Sequence, residues 1–175
     1  LGTSTVLGCG FFACISGSDA ADAAAIGRIT IDRLEAKGYP KPYACALVAA
    51  GACTGILIPP SISYIIIGLV LGISASTLFL AAALPGVMIL LSIMMANAVI
   101  NRIRGYENST AGFDFKYWLK AVYAGRFALL IPVIILGGIY SGIFTPTESA
   151  AVAALSAVII GFLQRTLKLS DIPKI

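Results

Sequence analysis

A chain of 175 residues with 59% hydrophobic and 11% charged side chains is poorly suited to water, because eight acids and twelve bases cover too little of its surface. The net charge of +4 does not point to nucleic acid, since the bases sit at the ends of apolar segments, where positive-inside topology places them. With a mean hydropathy of +0.97, the composition implies an all-α polytopic membrane protein embedded in a lipid bilayer.

Residues 1–41 read as a helical hairpin. An uncharged, small-residue segment runs to Ser16, Gly17 and Ser18, and an Ala-rich helix follows. Asp19 and Asp22 begin that helix, where carboxylates offset unbonded N–H groups, and Ser16 with Asp19 forms a loose capping box. A simple kinked span is the alternative. Arg28, Arg33, Lys37 and Lys41 outnumber the neighbouring acids, so the connection after this element reads as cytoplasmic.

Residues 42–101 contain no Asp, Glu, Lys, Arg or His. As helix they would measure roughly 90 Å against a hydrocarbon core of about 30 Å, so two crossings fit, turning at Gly72 to Thr77. The first crossing is discontinuous over 53–61. Pro59 and Pro60 remove two N–H donors, and Gly51 and Gly55 permit conformations that a Cβ would penalise. Unwinding there is expected to release carbonyls around 53–57 and to gather the hydroxyls of Thr54, Ser61 and Ser63 near them. Such hard, neutral oxygens suit Na⁺, and interrupted membrane helices are tolerated where protein or a wet cavity covers them. A kink repaired by neighbouring helices is the bland reading. The second crossing carries Pro85 and Gly86 as a kink.

Residues 102–125 read as a connector. Its Glu107 to Gly112 stretch is polar, and an aromatic and basic segment follows that has the composition of an interfacial helix. Residues 126–168 read as an antiparallel helical pair turning at 145–148, either a surface turn or a re-entrant one. Thr145, Pro146 and Glu148 make a capping box, while an acid within apolar sequence also raises a site hypothesis for Glu148. Residues 169–175 begin a further connector. Leu1 opens inside apolar sequence, so the chain reads as an excerpt of a longer protein.

Enzymatic chemistry finds no footing. Without histidine, no Ser-His or Cys-His pair forms within the chain, and Cys9, Cys14, Cys45 and Cys53 lack metal-binding spacing. No phosphate-binding loop occurs, and Gly8-Cys9-Gly10 lacks the context of a dinucleotide fingerprint. No cofactor is expected, and energy for transport has to come from an ion gradient or another subunit. Ser16 to Ser18 at a helix N-terminus is a second cluster of small oxygen donors. A hairpin tip facing an unwound helix would build one shared site.

Three stretches carry a resemblance: Phe12 to Gly27 (FACISGSDAADAAAIG), Ile58 to Ser61 with Gly68 after it, and Pro132 to Val152 (PVIILGGIYSGIFTPTESAAV). The chain closely resembles the large, DctM-like membrane subunit of tripartite ATP-independent periplasmic (TRAP) transporters over essentially its whole length. The resemblance implies an elevator-type, Na⁺-coupled secondary transporter in the bacterial inner membrane. Its partners would be a small four-helix, DctQ-like subunit and a periplasmic binding protein that delivers an organic acid. By position, Ser16, Gly17 and Ser18 resemble the first hairpin tip, and Thr54, Gly55, Pro59, Pro60 and Ser61 resemble the helix break. Together these imply the first Na⁺ site and one side of the substrate cavity, with a second inverted copy beyond Ile175. The sequence departs from the family pattern at Asp19 and at Cys53 to Leu57. A one-component Na⁺-coupled anion transporter of the same class and a non-transporting structural subunit are the alternatives.

Overall fold

The computed structural model describes residues 1–106, 115–164 and 167. The polar connector at 107–112, Arg165, Lys168 and the connector at 169–175 lie outside the described residues. Among those described, every regular element is helical, in agreement with the all-α expectation. The chain divides into two compact units, Leu1–Ala111 and Gly112–Ile175.

In the first unit, α1 (Gly2–Ser16) ends because Gly17 turns left-handed, with φ 62 and ψ 18, and its N–H donates to the Ala13 carbonyl at 3.2 Å. α2 (Asp19–Ala36) begins at once behind it. Its N-cap is Ser18, whose hydroxyl accepts from the Ala21 N–H at 3.5 Å, so the expected pairing of Ser16 with Asp19 is corrected. Ser16 is the last residue of α1, and Gly17 reverses the chain between it and the donors to be capped.

α3 (Lys41–Ala52) leads into a 3₁₀ turn at Cys53–Gly55 and a non-helical stretch at 56–61 containing a cis Pro59–Pro60 bond. α4 (Ile62–Leu71) resumes the path. At 12 and 10 residues, α3 and α4 measure roughly 18 and 15 Å, so neither crosses a bilayer core of about 30 Å alone. α5 (Ala75–Arg104) runs unbroken through Pro85 and past Asn101 for 30 residues, roughly 45 Å.

α1 is the central element of this unit and packs on α2, α3 and α5. Val6, Ala13, Leu47, Ile58 and Leu90 form one buried cluster contributed by α1, α3, the interrupted stretch and α5. Asn97 ties three helices together: its Nδ2 donates to Thr3 Oγ1, and its Oδ1 accepts from the Tyr43 hydroxyl, each at 3.1 Å. The rings of Tyr39, Tyr43 and Tyr106 cluster with centroids 5.3 to 6.0 Å apart, Tyr39 stacked on Tyr43 and Tyr106 tilted against both. They bring the base-rich turn after α2 to the same end of the unit as Arg102 and Arg104 in the last turn of α5. The outer faces of α4 and α5 expose Leu69, Val70, Leu84, Met88, Met95 and Ile103. A continuous apolar surface of this kind is incompatible with water and matches lipid.

In the second unit, α6 (Phe115–Ala124) precedes α7 (Arg126–Tyr140) and α8 (Pro146–Leu163). α7 and α8 pack as a hairpin, closed by Phe144 N–H donating to the Gly138 carbonyl at 3.1 Å and by the buried Ser149 hydroxyl donating to Ile135 O at 2.9 Å. α8 starts with a complete capping box. The Thr145 N–H donates to Glu148 Oε2 at 2.8 Å, and Thr145 Oγ1 accepts from the Glu148 N–H at 3.3 Å. Among the described residues, α5 and α8 are the helices long and apolar enough to cross a membrane.

A capping role for Glu148 gives a direct expectation. Glu148→Gln preserves the box and the thermal unfolding midpoint of the complete permease, while Glu148→Ala removes the acceptor for the Thr145 N–H and lowers that midpoint. An essential charge would instead show as lost transport in Glu148→Gln at unchanged stability.

Candidate ion and solute site

Two glycines bring the α1–α2 turn against the interrupted helix. A Cβ built on Gly17 would stand 2.7 Å from the Pro60 carbonyl oxygen and 3.3 Å from Ser61 Cα. A Cβ on Gly55 would stand 2.6 Å from Asp22 Oδ2 and 2.9 Å from the Asp19 nitrogen. Both spaces are too small for a side chain, so the two backbones approach directly. The α1–α2 turn therefore faces Pro60 and Ser61, and the first turn of α2 faces the 3₁₀ turn.

The polar groups at this junction fall into two sets. Some are satisfied locally. The buried Thr54 hydroxyl donates to the Gly51 carbonyl at 2.7 Å, and the Thr54 carbonyl accepts from the N–H groups of Leu57 at 3.1 Å and Ile58 at 2.8 Å. Ser16 Oγ donates to Asp22 Oδ1, and Ser16 Oγ accepts from the Ser18 N–H at 3.3 Å. Others have no partner: Asp22 Oδ2 and Ser61 Oγ are buried and unbonded. Such orphaned oxygens are rare in folded proteins and point to a bound species or a functional role.

The sequence candidates thus separate. Ser16, Gly17, Ser18, Thr54, Gly55, Pro60, Ser61 and Asp22 meet at one junction, with Pro59 buried beside them. Asp19 is half-buried and lines a cavity of about 210 Å³ with Ala20, Ala23, Ala49, Ala52 and Cys53. Ser63 is exposed, not gathered with Thr54 and Ser61. Glu148 lies in the second unit, exposed and engaged in its capping box. Among the described residues, no three His, Cys, Asp or Glu side chains converge as a metal cluster.

Two contributors carried little signal in the sequence. Asp22 ranked there with Asp19 as a helix-start charge, yet it is fully buried, with Gly55 of the 3₁₀ turn lying against its carboxylate. Gly86 read as half of a kink. Instead, a Cβ there would stand 3.1 Å from both Leu57 O and Ile58 Cγ1, so α5 supports the interrupted stretch from behind through this residue.

A lipid-facing helical chain whose interrupted helix meets a turn of small residues is built as a membrane permease component. The family model for the DctM component of tripartite ATP-independent periplasmic transporters matches residues 1–175, and the chain belongs to that family. It is 41% identical over 94% of its length to the isethionate TRAP transporter permease protein DctMQ of Oleidesulfovibrio alaskensis, covering 26% of that protein. It is 39% identical over its full length to the C4-dicarboxylate TRAP transporter large permease protein DctM of Pseudomonas aeruginosa, covering 41%. The ectoine TRAP transporter large permease protein TeaC of Halomonas elongata matches at 39% identity over 98% of the chain and 40% of that relative. The chain therefore spans between about a quarter and two fifths of the length of these relatives.

The glycine contacts predict a sharp contrast between two substitutions. Gly17→Ala places a Cβ on a left-handed residue and against Pro60, which lowers the stability of the complete permease by about 2 kcal/mol in thermal unfolding. Gly8→Ala, mid-helix in α1 and with nothing within 4 Å of its Cβ, instead leaves stability unchanged or raises it by up to about 1 kcal/mol.

Proposed function

We propose that this chain is part of the large permease subunit of a Na⁺-coupled TRAP transporter in the bacterial inner membrane. The subunit works with a DctQ-like small subunit and imports an organic acid handed over by a periplasmic binding protein. The observation that carries this reading is the direct seating of the α1–α2 turn on the interrupted helix, with buried oxygens left unbonded at the contact. Hydroxyl and carbonyl oxygens of Ser16, Ser18, Thr54, Gly55 and Ser61 are hard donors suited to Na⁺. The orphaned Ser61 Oγ fits such a ligand without further rearrangement of partners.

An anionic substrate is supported by the site's chemistry and by the names of the relatives. Isethionate, C4-dicarboxylates and ectoine all carry a carboxylate or sulfonate, and the positive end of α2 favours such a group. The short halves α3 and α4 provide the interruption that puts helix ends, rather than helix sides, at the site. The turn and the break, packed backbone to backbone, behave as one body. In an elevator mechanism that body carries ion and solute across together.

Reconstitution of the complete three-part assembly in liposomes tests this, with labelled succinate, isethionate and ectoine as probes. Uptake of at least one probe is expected to require both an inward Na⁺ gradient and the binding protein. Thr54→Ala and Ser61→Ala, in assemblies of normal stability, should each lower uptake at limiting Na⁺ by about tenfold, equivalent to about 1.4 kcal/mol. Uptake indifferent to Na⁺ and to the binding protein contradicts the reading.

A further inference from the structure

The α7–α8 hairpin of the second unit is tied together at its Thr145 turn, but its open end is not filled. There a cavity of about 310 Å³ lies between the first turns of α7 and the last turns of α8. Phe127 and Ile131 line it from α7, and Ala157, Ile160 and Gly161 line it from α8. Each set sits at helical spacing on one face of its helix. Ala157 and Gly161 are too small to fill the gap opposite the larger α7 side chains. A slot lined this way repels water and suits hydrocarbon. A further helix, about 10 Å across with its side chains, could cover the opening but not enter it. The mouth, by contrast, is polar and basic. Gln164 lines it from the C-cap of α8 and is exposed. The exposed Arg126 holds its guanidinium 4.5 Å from the ring centroid of the cavity-lining Phe127 and 4.0 Å from that of Tyr123. Its Nη1 donates to the Tyr123 carbonyl at 2.8 Å, and among the described residues no acid pairs with it. Charge in this unit is segregated. Among its described residues the bases are Lys116, Lys120 and Arg126, all before or at the start of α7, while the acid is Glu148, in its capping box at the closed end.

We propose that this cavity binds an anionic phospholipid, with one acyl chain between α7 and α8 and the phosphate on Arg126. An apolar slot with a fixed cation at its mouth matches the two halves of such a molecule. The guanidinium offers paired N–H donors in the geometry of phosphate oxygens, and stacking on two rings holds that fork in place. The Gln164 amide supplies a neutral donor for a second headgroup oxygen. Basic pockets at the cytoplasmic ends of membrane helices bind anionic headgroups, and the bases at this end put it on that side. A zwitterionic headgroup brings its own cation to an acid-free mouth, so the site favours lipids of net negative charge. α6 leads into this end with Lys116 and Lys120 exposed one turn apart, which raises the local concentration of the same lipids. The bound chain packs the open end of the hairpin, as the Ser149 to Ile135 hydrogen bond secures the closed one.

The test is a lipid titration of the complete permease with its small subunit, delipidated in detergent and read by native mass spectrometry. The probes are palmitoyl-oleoyl phosphatidylglycerol and phosphatidylcholine with the same chains. For the first lipid bound, wild type is expected to prefer phosphatidylglycerol by about tenfold, equivalent to about 1.4 kcal/mol. Arg126→Gln reduces that preference to within about twofold. Arg126→Lys, which keeps the charge without the fork, leaves about threefold and serves should the Gln variant fail to fold. Ala157→Leu fills the slot and weakens the first binding event of phosphatidylglycerol by about tenfold or more. Equal affinity of wild type for the two lipids, or a preference unchanged in Arg126→Gln, overturns the assignment. So does Ala157→Leu with a lowered unfolding midpoint and unchanged lipid uptake, which identifies a protein segment as the occupant.

Discussion

Direct approach of two backbones, at Gly17 over Pro60 and Ser61 and at Gly55 under the first turn of α2, is the contact on which the first unit depends. A side chain at either position would separate the turn from the break and leave each with polar groups facing nothing. In a lipid environment that outcome is costly, because no water is at hand to complete the hydrogen bonds of an unwound helix. The chain resolves the problem by pairing its irregular segments with each other. Thr54 assists by returning its hydroxyl to the Gly51 carbonyl, which the interruption would otherwise expose.

The remaining packing can be understood as support for that contact. α1 is buried along Val6, Cys9 and Ala13, so the turn it carries is held from three sides. α5 presses Gly86 against Leu57 and Ile58, fixing the far wall of the interrupted stretch. Asn97 and the tyrosine cluster close the other end of the unit, where the bases gather. Outside this framework the surface is apolar, so hydrophobic burial against water contributes little and close packing of small residues carries the association.

Much of this was legible in the sequence because it follows from local chemistry. The consecutive prolines Pro59 and Pro60 remove two neighbouring N–H donors and so interrupt the helix locally, and the Thr145 to Glu148 spacing builds its capping box without outside help. What depended on tertiary neighbours was hidden. Whether Ser16 or Ser18 caps α2 was settled by the left-handed turn at Gly17, which also turns Ser16 toward Asp22. Asp22 resembled any acid in a first helical turn until the 3₁₀ turn was seen to cover it. Gly86, beside Pro85, had an obvious local explanation that concealed its packing role. The family resemblance identified the residues of the junction but not which of their oxygens remain unbonded.

The central claim is that turn and break form one ion-linked site, and hydrogen exchange of the complete permease read by mass spectrometry addresses it most directly. Adding Na⁺ in place of N-methylglucamine should slow exchange in residues 16–22 and 53–62 together, with the same Na⁺ dependence, while α8 stays unchanged. Protection confined to one of the two segments, or equal protection by both cations, would contradict it.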